Sequence, residues 1–117
     1  SAGRNREVHC ASVLYTWSST AGGTYASDVV IPVNAQIISH SVQGGSVVPT
    51  TGTNLKIQVG GADLSATIAL AKYDAIGETQ LVASVDGTTA NLNGAIGLVT
   101  TGTHDTGSTR ITVCYIV

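Results

Sequence analysis

Charged side chains are scarce in this chain. Asp, Glu, Lys and Arg together make up 10 % of its 117 residues, where an ordinary soluble domain carries roughly 25 %. A surface of mixed charge normally keeps a small monomer dispersed. Here Thr, Ser, Gly, Asn and Gln must take that role, which points to a protein whose working surface lies against other protein. The five cations, Arg4, Arg6, Lys56, Lys72 and Arg110, are too few and too scattered to release counterions from a phosphate backbone. That excludes nucleic acid as a partner. No run approaches the ~20 apolar residues of a membrane-spanning helix, and no apolar signal-peptide core stands near the first residues. The reading is synthesis in a cytoplasm without export, and no membrane partner.

Other absences narrow the chemistry. Methionine and phenylalanine are missing, and cysteine occurs twice, as Cys10 and Cys114. Neither sits in a Cys-x-x-Cys pair, and two cysteines are no disulfide framework. If the first and last strands are neighbours, the thiols could face one another. A bridge would then close almost the whole chain, worth ~4–5 kcal/mol in the chain-entropy model. Two buried small apolar side chains is the reading favoured here. No G-x-S-x-G motif or cysteine-nucleophile motif is present. His104 and Asp105 lie in a Gly- and Thr-rich loop, where a His–Asp pair could orient a general base. The plainer expectation is a solvated hairpin tip. His9, His40 and His104 share no ligand spacing, and Asp63, Asp74, Glu78 and Asp86 are too dispersed for a calcium loop. No catalytic residue, metal or cofactor is expected.

What is present reads as strands. Short runs of Val, Ile, Thr and Leu, cut at close intervals by Gly pairs and Thr/Gly/Asn clusters, are the pattern of a sandwich or barrel. Runs fall at residues 7–17, 29–33, 36–43, 55–59, 81–85, 95–99 and 109–117. Leu55, Ile57 and Val59 alternate with Lys56 and Gln58, as on a half-buried strand. Ile111, Val113, Tyr115 and Val117 share one face of the last run. In 36–43, alternation places Ile38, His40 and Val42 on one face and Ile37, Ser39 and Ser41 on the other. Residues 62–75 fit either an irregular strand or one short helix, with Asp63 as a candidate N-cap. Residues 1–7 read as an extended arm and residues 8–117 as a single β domain.

Two sets of residues suggest contact surfaces. Arg4 and Arg6 on the arm could order against an acidic partner through their planar guanidinium groups. Tyr15, Trp17 and Tyr25 are candidate interface aromatics, since Tyr and Trp bury much area at low entropic cost. Capping one end of the core is the equal alternative for Tyr15 and Trp17.

Four stretches, VVIPVNAQIISHSVQGG from Val29, TNLKIQVGGADL, LVASVDGTTANLNGAI and the closing STRITVCYIV, together resemble tailed-bacteriophage structural proteins. Those are capsid decoration (cement) proteins and β-rich domains of head fibres. Ile31-Pro32, Asn34-Ala35, Gly60 and Tyr115-Ile116-Val117 carry the likeness. It implies an all-β, jelly-roll-like antiparallel sandwich, commonly a homotrimer. It would bind the major capsid protein on the outer capsid surface at threefold or quasi-threefold positions and stabilise the shell, after assembly in the host cytoplasm. A glycan-binding module of a head or tail fibre is the alternative, for which Trp17 and Tyr25 would line a groove.

Overall fold

A computed structural model describes residues 7–74, 79–81 and 92–117. Among the described residues nine strands form two antiparallel sheets: β1 (Val8–Thr16), β2 (Gly23–Ile31), β3 (Gln36–Gly44), β4 (Asn54–Val59), β5 (Ala62–Asp63), β6 (Ile68–Ala69), β7 (Thr79–Leu81), β8 (Gly94–Thr101) and β9 (Ser108–Ile116). The first sheet has the order β1-β9-β3-β7 and the second β2-β8-β4-β5, with β6 also pairing with β4. In chain order β1 to β4 alternate between the sheets, as do β7, β8 and β9, and the sheets pack as a sandwich.

Alternating apolar residues build the interior. Ile37, Val42, Ile111 and Val113 from the first sheet meet Ile31, Leu55, Ile57, Val59, Ile96 and Leu98 from the second, all buried. β2, β4 and most of β9 thus hide one face more than the other, the period-2 arrangement of a sandwich. Along the last strand burial falls off toward its end: Ile111 and Val113 are buried, Tyr115 half-buried and Val117 exposed. Gly60 and Gly61, both at positive φ (62° and 83°), join β4 to β5 with Val59 opposite Ala62. A two-residue hairpin with left-handed φ at both positions matches strand twist and favours glycine.

Several local expectations are corrected. In β3 the register against β9 slips between Ile37 and Ser39. This bulge inserts one residue, so Ile37 turns inward (2 % exposed) with His40 and Val42, while Ile38 is 45 % exposed. Simple alternation places Ile38, not Ile37, on the face of His40 and Val42. β2 begins at Gly23, well before the apolar run at 29–33, because its pairing with β8 supplies order that Thr24, Ala26 and Asp28 do not advertise. Pro32 directly follows the strand, where a missing N–H costs no ladder bond. The ambiguous 62–75 stretch holds β5, β6 and a single 3₁₀ turn, Leu70–Lys72. Asp63 caps no helix; it accepts from Gln58 Nε2 at 2.9 Å and pairs with Lys56 Nζ at 3.5 Å. Of the run at 81–85, Leu81 ends β7 and the rest lies outside the described residues.

The reading of the two cysteines as separate buried thiols is also overturned. Cys10 lies directly across from Cys114 in the β1–β9 ladder and the two form a disulfide. The first and last strands are neighbours, so the side chains meet on the sheet's outer face, where Cys10 is exposed. The bridge spans 104 residues, a loop for which chain entropy gives ~4–5 kcal/mol.

Candidate interaction surface

His104 is not at a solvated tip. It is 0 % exposed, stacked on Trp17 with ring centroids 4.5 Å apart and on Tyr73 at 5.8 Å. Its Nε2 shares a 2.7 Å hydrogen bond with the Tyr73 hydroxyl, and its Nδ1 is buried with no hydrogen-bond partner among the described residues. Burial pushes the imidazole pKa down, outweighing the Gly102 carbonyl and the Asp105 charge, which favour the cation. The same burial, with Asp74 nearby, raises the Tyr73 hydroxyl, so it stays protonated. Gly52, at φ +120°, lies flat against the ring: a Cβ there would stand 2.7 Å from His104 Cδ2.

Asp105 points the other way, accepting from the Thr50 hydroxyl at 2.5 Å, the Thr50 amide at 2.9 Å and the Thr51 amide at 3.3 Å. Those donors, the Thr50 hydroxyl foremost, hold its carboxyl well below the ordinary range. Adjacent His and Asp therefore serve two layers, one sealing the core and the other tying down the 50–53 loop. No base-and-orienter pair is assembled.

The aromatic candidates divide. Trp17 is 3 % exposed and donates from Nε1 to Thr109 Oγ1 at 2.9 Å, so it closes one end of the core. Tyr15 is half-buried on the inner face of β1, stacked on Trp17 at 6.2 Å, and burial raises its hydroxyl pKa. Tyr25 is half-buried on β2 and donates to the Ala21 carbonyl. Trp17 and Tyr25 do not line an open groove together. Arg4 and Arg6 lie outside the described residues. Among the described residues no three His, Cys, Asp or Glu side chains gather as a metal site, and no helix is long and apolar enough to cross a membrane. His9 stacks on Tyr115 at 5.5 Å and His40 is buried on β3.

The flat outer face of the first sheet offers more. Register places Val8, Cys10, Ser12, Leu14 and Thr16 of β1 beside Ile116, Cys114, Thr112, Arg110 and Ser108 of β9. Ser39, Ser41 and Gln43 of β3 continue the face. Among the described residues of its strands Arg110 is the one formal charge on this face, and it donates to the Ser12 hydroxyl at 3.2 Å. Leu14 (48 % exposed) and Val8 (58 %) add apolar area, and Val117 stands exposed just past β9. Hydroxyls, scattered aliphatics and a disulfide make this a surface of low charge. The composition hinted at such a face; only strand pairing shows which residues form it.

The two antiparallel sheets and the core they share place the chain in the class of β-sandwiches. Within it, the fold is shared with a chain of the cyanophage Pam1 capsid asymmetric unit: TM-score 0.67, 18 % identity, 100 % of this chain and 88 % of that one. It is shared also with a chain of the acid-stable capsid of Helicobacter pylori bacteriophage KHP30: TM-score 0.64, 19 % identity, 94 % and 87 % coverage. No protein-family model and no curated protein matches the chain.

Proposed function

We propose that this chain is a non-enzymatic structural protein of a phage virion, a decoration subunit that binds the outer surface of the head and stabilises the shell. The observation that carries the reading is the near full-length likeness to chains of two phage capsid structures. The strand orders β1-β9-β3-β7 and β2-β8-β4-β5 support a jelly roll, with β6 as an addition to eight principal strands. The partner is the major capsid protein, and the site is a threefold or quasi-threefold position occupied by a homotrimer. Binding only the assembled shell adds the docking free energy to the assembled state, and three linked contacts on one symmetric site act with avidity.

The low-charge outer face of the first sheet is the docking or seam surface in this reading, with Arg4 and Arg6 of the arm as a second contact. A disulfide on an exposed face suits the oxidising surroundings of a released particle. The test compares purified particles with and without this chain. Averaged density should gain a feature outside the shell at threefold positions, and the decorated particles should survive higher temperature before releasing DNA. Equal thermal release, with no added density, would remove the function.

A further inference from the structure

Sheet edges expose rows of unpaired N–H and C=O groups, and folded proteins blunt them with short strands, charges, prolines or bulges. Among the described strands, three of the four sheet edges carry such devices. β7 has three residues and β5 two, the latter flanked by the Lys56–Asp63 ion pair. β2 has a register break between Ala26 and Val30, an exposed Asp28, and Pro32 just past its end. The fourth edge, β1, has none of these. It runs nine residues, Val8–Thr16, without Pro, Asp, Glu, Lys or Arg, and in unbroken register with β9. No described strand pairs on its other side.

The polarity of that edge can be read residue by residue. Antiparallel pairs alternate between hydrogen-bonded pairs, with Cα atoms ~5.5 Å apart, and non-bonded pairs at ~4.5 Å. Cys10 and Cys114 have Cα atoms 4.0 Å apart, so they form a non-bonded pair, and the backbone groups of Cys10 turn away from β9. The odd positions bond β9 instead, as Trp17 shows in the continuation of the ladder by donating to the Gly107 carbonyl at 2.8 Å. Val8, Cys10, Ser12, Leu14 and Thr16 therefore aim their N–H and C=O groups at the open edge.

We infer that β1 is a strand-pairing edge whose occupant is β1 of a second copy, laid antiparallel across a twofold axis. An antiparallel edge is complementary to itself, and a strand without formal charge sets no like charges face to face when it meets its own copy. Leu14 and Val8 of each copy then lie on one continuous outer face. This contact is separate from any threefold seam and does not rest on the capsid reading, because each copy brings one β1 edge whatever else it binds.

The test uses the whole disulfide-bonded chain in isolation. Amide hydrogen exchange of Cys10, Ser12, Leu14 and Thr16 should slow as protein concentration rises, while the odd-numbered amides stay protected throughout. Leu14→Lys charges the edge, and Ser12→Pro deletes an N–H that the fold does not use. Each should halve the sedimenting mass and abolish the concentration dependence at the remaining even positions, with the thermal transition retained. Leu14→Lys keeps the test valid should the proline variant fail to fold. Even-numbered amides that exchange fast at every concentration would overturn the inference. So would protection that arises only when phage shells are added, or association into ever-larger species instead of closed pairs.

Discussion

A neutral imidazole between two aromatic rings is hard to protonate, and His104 makes that resistance part of the fold. Its folded pKa is depressed by burial, so below about pH 6.5 the unfolded chain binds a proton that the native state resists. Stability should be full above that pH and decline as pH falls through the folded value. The expected record is a thermal midpoint that is flat from neutral pH to about pH 9 and drops in mild acid. A His104→Gln variant should be less stable at neutral pH and lack that drop. Asp105, also depressed, loses its contribution only below about pH 4. Asp105→Asn should therefore leave the mild-acid step in place, and the two windows can be separated by calorimetry.

At the scale of the element, the β3 bulge and the β1–β9 bridge make opposite demands. Ile37→Ala should cost about 2–5 kcal/mol, as a buried large-to-small change does, while Ile38→Ser should stay within about 0.5 kcal/mol at an exposed site. Denaturant midpoints of the two variants would show whether the inserted residue is Ile38. Replacing Cys10 and Cys114 together by Ser should lower stability by up to ~4–5 kcal/mol and leave the far-ultraviolet signature of the sheet intact. The ladder from Val8↔Ile116 to Thr16↔Ser108 still pairs the strands, and a non-reducing gel verifies the bridge in the parent chain.

For the whole molecule, the sparse charge has a consequence for assembly. Contacts made by hydroxyls and aliphatics are weakly screened, so occupancy on particles should change little as salt rises. Deleting residues 1–7 should reduce occupancy while preserving the thermal transition, and that arm-dependent part should be the salt-sensitive one. Titrating particles with the chain at two ionic strengths checks both expectations.

The all-β class was legible in the sequence because strand alternation is a local property. Leu55, Ile57 and Val59 bury one face whatever they pack against. The neutral character of the surface was legible too, since composition alone limits what a surface can carry. Tertiary structure decided the rest. His104 reads as a loop residue because the Trp17 and Tyr73 rings that cover it come from distant segments. The Cys10–Cys114 bridge and the open edge of β1 depend on which strand lies beside which. A bulge shows only against its partner strand. Side-chain period is written into the chain one residue at a time, whereas neighbours across a sheet are chosen by the packing of the whole sandwich.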